Sequence, residues 1–331
     1  MNFASNDSPE ERADTFMKKN TVDVVIPAYK PDDTFRDLIG MLLRQTYPVS
    51  HILIINTEER FWNEKLIGNT DRADVFHITK KEFDHAATRN MGAGFSDADY
   101  LMFMTQDALP ADLFLVERLL SAFENPIVKA AYARQMPGRN CVLTEGCVRC
   151  FNYPEKSWVR TFSDLPEYGI KTYFCSNVCA MYEMHTFRQM GGFLPPAIFN
   201  EDMVYAARIQ HLGYGVAYCG DARVYHSHNY TASQQFHRNF DNGVSQAMRP
   251  EIFRGVSSAG EGKKMVRYVT DYLRKAGKTY LLPGFYRECF AKLAGFRLGK
   301  MYRFLPRKMV KSFSMNPDFF DSSAFSRFQH K

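Results

Sequence analysis

Four short groups of polar residues in this 331-residue chain are of types and spacings that can do chemistry. Asp107 follows directly on the apolar run at 100–105. A carboxylate there suits a divalent cation that bridges phosphates, although a helix cap is the plainer reading, because Pro110 and a helical pattern follow. Asn200-Glu201-Asp202 precede a helical pattern over 203–212. The helix dipole alone accounts for two carboxylates in that place, and an aspartate there can equally act as a general base on an attacking hydroxyl. His226 and His228 stand at i and i+2 after a strand-like run at 222–225. They can point the same way and ligate a metal or donate to phosphate. Asp84 and His85 open a helix that carries Arg89 and Asn90 on its first turns, a natural anion site or simply a capped, solvated helix start. The cysteines compose weaker chemistry. Cys141, Cys147, Cys150, Cys175 and Cys179 lack the two close pairs of a structural zinc site, so they read as small apolar residues.

The elements that must position these groups follow from periodicity. β-Branched and apolar runs at 22–27, 51–56, 75–79, 100–105 and 128–132 read as buried strands. Between them, apolar residues at helical spacing over 34–45, a small-residue stretch at 86–95 and the pattern at 111–124 read as helices. Such alternation predicts an α/β domain with a mostly parallel sheet flanked by helices. Ligands of open sheets bind beyond the carboxyl ends of the strands, where Pro27-Ala28-Tyr29, Asn56-Thr57-Glu58 and Thr105-Gln106-Asp107 fall. Residues 140–170 read as an irregular loop over the site. Residues 173–225 read as short strand, helix and short strand. Pro283-Gly284 and Pro306 divide the remainder into several short helices.

Composition excludes other classes. The chain is 45% hydrophobic and 24% charged, which is ordinary for a globular protein and excludes disordered or collagenous ones. No apolar run approaches the roughly 18 residues of a membrane span. The polar leader at 1–20 has no apolar core, so no secretory signal is expected. Seven cysteines suit a reducing cytosol. The net charge of +6 is unevenly placed: residues 251–331 hold 17 Lys and Arg against 6 Asp and Glu. That basic, aromatic-rich extension suits packing on the main domain or on a second copy, or contact with an anionic membrane face. Nucleic acid is the poorest fit of these partners.

The order of the groups along the chain carries more than any one of them. Val24-Val-Ile-Pro-Ala-Tyr29 resembles the opening strand and nucleotide-binding turn of the family-2 inverting glycosyltransferases, which have a GT-A fold. Thr88-Arg-Asn-Met-Gly92 is similar to that family's helix beside the nucleotide diphosphate, and Gln106-Asp107 stands in the place of its DxD metal motif. Gly191-Gly192-Phe193 followed by Asn200-Glu201-Asp202 resembles its acceptor-side turn and its ED motif. Thr105-Gln-Asp-Ala108, Phe83-Asp-His85 and His226-Ser-His-Asn229 resemble the bacterial rhamnosyltransferase subgroup, and the resemblance spans about residues 20–245.

The resemblance implies a catalytic domain over 21–250, divided into a nucleotide-binding half at 21–110 and an acceptor half at 111–250, with a helical extension at 251–331. It implies Asp202 as base with Glu201 beside it, and Pro27, Ala28, Tyr29, Thr57, Glu58, Asp84, His85, Arg89, Asn90, Gln106 and Asp107 toward the donor nucleotide. Ser176, Asn177, Gly192 and Phe193 would lie toward sugar or acceptor, and Asp107, His226 and His228 would hold Mg2+ or Mn2+. Gln106-Asp107 supplies one carboxylate where DxD supplies two, so a histidine is expected to complete the metal site. The implied reaction transfers L-rhamnose from dTDP-L-rhamnose to a glycan or lipid-linked glycan of a bacterial surface polysaccharide, in the cytoplasm or on the inner membrane face. A UDP-hexose donor, or a non-catalytic nucleotide- or glycan-binding subunit, are the alternatives.

Overall fold

The computed structural model describes residues 20–256 and 259–329. The leader expected at 1–20 lies outside them apart from Asn20. Among the described residues nine strands form one sheet: β1 (Val22–Tyr29), β2 (His51–Thr57), β3 (Ala73–Ile78), β4 (Tyr100–Met104), β5 (Leu109–Pro110), β6 (Val128–Met136), β7 (Trp158–Arg160), β8 (Cys179–Glu183) and β9 (Gly215–Tyr225). The order is β3-β2-β1-β4-β8-β6-β9-β5, with β7 also paired to β9. The first four strands run parallel, and β8 enters antiparallel between β4 and β6.

Helices cover the sheet. They are α1 (Asp33–Leu43), α2 (His85–Gly94), α3 (Leu115–Ser121), α4 (Leu143–Asn152), α5 (Leu165–Tyr168), α6 (Met184–Gln189) and α7 (Glu201–His211). From α8 (Ala232–Met248) onward the described residues form helices joined by turns: α9 (Pro250–Phe253), α10 (Ala259–Lys275), α11 (Leu282–Lys300), α12 (Arg307–Phe313) and α13 (Ser323–Gln329). α1 illustrates the local logic. The Asp32 side chain caps it by accepting from Thr34 N, and Phe35, Leu38, Ile39 and Leu42 at helical spacing are buried. β4 is buried at all five positions, as a central strand with both faces covered should be.

Two stretches differ from the sequence reading. Residues 143–152, expected to be irregular, form α4, because Leu143, Cys147 and Val148 share one face and pack on Val269, Leu273 and Phe285 of the extension. Pro283 does not break a helix, because it sits in the first turn of α11, where its missing N–H is not needed. α11 therefore runs for 19 residues.

The extension is seated by glycine. A Cβ on Gly295 or Gly299 of α11 would lie 2.2 Å from Phe236 O or 2.0 Å from Phe240 O of α8, so only glycine permits this close crossing. Beyond it, Tyr302, Val310, Phe319, Phe320 and Phe325 share a core with Phe240, Val244 and Met248 of α8. The extension's aromatics thus divide. These are buried, whereas Tyr280, Phe290 and Phe304 are more than two-thirds exposed. Among the described residues no helix is long and apolar enough to cross a membrane.

Candidate active site

The groups singled out in the sequence converge on one cleft of about 490 Å3 at the carboxyl ends of the strands. Strand pairing brings Asp107, His226 and His228 together. β5 runs antiparallel to β9 with Leu109 opposite Tyr225, which puts Asp107, just before β5, beside the residues that follow β9. The segment after Tyr225 alternates in its partners. Ser227 Oγ accepts from Gly138 N at 3.0 Å and Asn229 Oδ1 from Val142 N at 2.9 Å, which pins one side of the segment. His226 and His228 are left on the other side, with Nε2 atoms 3.6 and 3.2 Å from Asp107 Oδ2. One ligand atom from each of the three residues lies within 4.8 Å of the others.

This set fits a divalent cation. Burial holds both imidazoles below their usual range, more than Asp107 can offset, so they stay neutral and able to ligate. Gln135 Oε1 lies 3.1 Å from His226 Nδ1. It accepts the proton there and turns Nε2 toward Asp107, the outer-shell arrangement of metal-bound histidines. Arg149 donates to the same Gln135 oxygen and, at 2.6 Å, to Glu145.

The second group starts α7. Asn200 is left-handed (φ 61°), a conformation asparagine tolerates better than most residues, and it ends the preceding turn so that Glu201 and Asp202 open the helix at the cleft. Asn177 holds both carboxylates. Its backbone N donates to Asp202 Oδ2 at 2.9 Å and its Nδ2 to Glu201 Oε1 at 2.9 Å, while its Oδ1 accepts from Tyr182 at 2.8 Å. Burial would raise the Glu201 carboxyl, but Arg89, 3.2 Å away, and Asn177 outweigh it and hold Glu201 ionised. Asp202 has no such cation. Burial and then the Glu201 charge push it up to about 7, with two backbone N–H groups offsetting only part. A carboxylate poised near neutrality is suited to take a proton from a hydroxyl.

The remaining expected residues divide by position. His85 is half-buried, stacked on Phe199 at the cleft, and desolvation pushes it down to about 4, so it is neutral. Arg89 lines the cleft but is paired to Glu201. Ser176 accepts from Gln135 Nε2 at 2.9 Å on the cleft floor. Asp84 instead caps α2 and accepts from Ala197 N, and Asn90 exchanges two hydrogen bonds with the Phe193 backbone. Together they fasten the 193–197 segment. Phe193 is wholly buried among Phe103, Tyr182 and Phe187, and Gly192 packs against Asn90, so neither side of that turn faces the cleft.

Pro27, Ala28 and Tyr29 end β1, and Thr57 and Glu58 follow at the end of β2, a separate stretch of the strand-end edge. Gln106 spans Tyr29, accepting from its N at 2.7 Å and donating to its O at 3.0 Å. This gives the glutamine before Asp107 a reason: it fixes the end of β1. The Thr57 hydroxyl is buried with no partner among the described residues, and Tyr29 meets Phe61 edge-on at 5.7 Å.

Sequence reasoning missed Gln135, Arg149, Tyr230 and Arg238. The Glu145–Arg149 spacing at i, i+4 was a signal for one of them. Arg238 carried none, because its place depends on how α8 folds back. It lies over Phe199 (4.9 Å) and Tyr230 (5.6 Å), and Tyr230 stacks on His228. No acidic side chain pairs with it among the described residues, so the cleft keeps one uncompensated guanidinium.

The chain has a GT-A-like fold. A mannosyltransferase from Pyrobaculum calidifontis, solved with GDP-Man and Mn2+, shares the fold, with a TM-score of 0.53 at 14% identity over 97% of this chain and 93% of that one. The chain belongs to glycosyl transferase family 2, whose model matches residues 23–191, and it is a glycosyltransferase. It is 34% identical over 307 residues to the O-antigen chain rhamnosyltransferase RfbN of Salmonella typhimurium, covering 92% of this chain and 98% of that protein. To the O-antigen chain rhamnosyltransferase WbaN of Salmonella anatum it is 33% identical, covering 92% and 96%.

Proposed function

We propose that this glycosyltransferase moves L-rhamnose from dTDP-L-rhamnose to a growing bacterial surface glycan, with inversion at the anomeric carbon. The likeness to two rhamnosyltransferases over nearly their full length supports the sugar. The observation that carries the mechanism is the unequal pair at the start of α7, with Glu201 held ionised and Asp202 raised toward neutrality. Asp202 accepts the proton of an acceptor hydroxyl as that oxygen attacks the anomeric carbon. The bond to the nucleoside diphosphate breaks on the opposite face, so one displacement inverts the centre. Glu201, fixed by Arg89 and Asn177, keeps its charge throughout and holds the base proton-hungry. Arg238 faces the developing diphosphate charge, while Tyr29, Thr57 and Glu58 edge the nucleoside.

Asp107, His226 and His228 would hold the cation, which when bound supplies positive charge to the diphosphate. Two imidazoles beside one carboxylate favour Mn2+ over Mg2+, because magnesium prefers an all-oxygen shell. The enzyme works at the cytoplasmic membrane face, toward which the basic extension turns its uncompensated charge.

A sugar-nucleotide screen tests this reading. With Mn2+, release of dTDP from dTDP-L-rhamnose should exceed release of nucleotide from UDP-hexoses and GDP-mannose. Turnover of a UDP-hexose with dTDP-rhamnose ignored would refute the donor assignment. Tight nucleotide binding without turnover of any donor would refute the enzyme reading.

A further inference from the structure

A cation held by Asp107, His226 and His228 needs one particular tautomer of His226, and Gln135 by itself does not select it. An amide can turn over and exchange its oxygen for its nitrogen. In one orientation Gln135 Oε1 accepts from His226 Nδ1, 3.1 Å away, while Nε2 donates to the Tyr153 hydroxyl at 2.6 Å and to Ser176 Oγ at 2.9 Å. In the other, the nitrogen faces His226 and the oxygen faces two hydroxyls, which donate as readily as they accept. That second arrangement is equally satisfied, but it puts the imidazole proton on Nε2, toward Asp107, and leaves a cation no lone pair there. Gln135 is 2% exposed, so its protein neighbours make the choice.

Arg149 breaks this degeneracy. A guanidinium carries donors and no acceptor, so it can meet only the oxygen of Gln135. Its own place is fixed twice. Arg149 donates to Glu145 Oε1 at 2.6 Å, one turn back on α4, and both side chains are only 13% exposed. Another face of α4 packs through Leu143 and Cys147 on Val269, Leu273 and Phe285 of the extension, which seats the helix independently of the cleft. The guanidinium also lies 3.5 Å from His226 Nδ1, too far to replace the amide there. We infer that Arg149 is a positioning residue that locks the Gln135 amide and thereby keeps His226 Nε2 open to a divalent cation. The inference rests on the cation site proposed above and gives control of its tautomer to a residue outside the three ligands.

Manganese titration of the full chain, followed by electron paramagnetic resonance, tests the assignment, because charge and tautomer predict opposite signs. Removing a guanidinium beside a cation site favours the cation by relief of repulsion, whereas releasing the amide works against it. Arg149→Met should therefore weaken Mn2+ by about 10- to 100-fold, and Arg149→Lys, still a pure donor, should recover most of that loss. Glu145→Gln/Arg149→Met leaves the net charge unchanged and no carboxylate stranded, and it should repeat the loss in a second folded form. Gln135→Leu/Arg149→Met should bind no worse than Gln135→Leu alone, because one residue acts through the other. Histidine-selective 15N spectra of the metal-free protein read the tautomer directly: His226 should carry its proton on Nδ1 in the wild type and shift toward Nε2 in Arg149→Met. Mn2+ binding in both methionine variants as tight as in the wild type, or an unchanged tautomer, overturns the role. Wild-type protein with no Mn2+ affinity refutes the cation site itself, and the spectra then still judge Arg149 separately.

Discussion

Glu201–Asp202 and Asp107–His226–His228 are two acidic groups lining the same cleft, and they meet the cost of their charge differently. At the start of α7 the compensation is internal: Arg89 is nearly as buried as Glu201, and Asn177 supplies two further donors. One carboxylate is thereby kept ionised and the other is raised. Among the described residues Asp107 has no lysine or arginine partner and faces two histidines that burial keeps neutral. A site that supplies its own countercharge can act on a proton. One that sets a carboxylate beside two neutral imidazoles is suited to a cation from solution. The two groups should therefore fail in different ways when each is damaged.

The largest effect is expected at the base. Asp202→Asn keeps size and hydrogen-bonding shape but cannot take a proton, and transfer should fall by about 100- to 10,000-fold. Steady-state rates under saturating donor measure it, and a loss below tenfold would assign the base elsewhere. Next is the internal pair. Arg89→Met strands Glu201 without its cation, and removing one partner of a buried pair costs about 3–5 kcal/mol. Urea unfolding at neutral pH should show that loss, and an intact midpoint would mean Glu201 is less dependent on Arg89 than its burial implies.

Smaller effects distinguish the cation site. Gln135→Leu leaves all three ligands but frees the His226 tautomer, so Mn2+ affinity should drop by about 10- to 100-fold. Manganese titration followed by electron paramagnetic resonance reports it, and unchanged affinity would remove Gln135 from the site. The mildest prediction is the pH profile. A base raised to about 7 is protonated below that pH, so activity should climb as pH rises through neutrality, not near pH 4. The histidines do not confuse the profile, because burial keeps both neutral across that range. In Asp202→Asn the residual rate should lack this inflection.

The parallel strands and the cleft's main groups were legible because they depend on local pattern. An apolar run ends, a polar residue follows, and an open sheet places that residue at its ligand edge. His226 and His228 were readable as a pair by their i, i+2 spacing, and the β5–β9 register put them next to Asp107 as the resemblance implied. Arg238 and Lys292 were not readable, because they reach the cleft from helices whose docking rests on Gly295 and Gly299 meeting the α8 backbone. Nothing in the spacing of those glycines announced their partner. Arg89 was legible as a site residue but not in its role, since its pairing with Glu201 joins residues 112 positions apart. Gly192 and Phe193 were placed by resemblance to a turn whose side chains pack inward.

Calorimetric titration of dTDP-L-rhamnose into wild type, Asp202→Asn and Asp107→Asn, each with and without Mn2+, tests the division of labour most directly. Asp202→Asn should bind donor within about twofold of wild type and keep the full manganese enhancement, because its loss is confined to proton transfer. Asp107→Asn should lose most of the manganese-dependent affinity. Equal loss of donor affinity in the two variants would contradict the account.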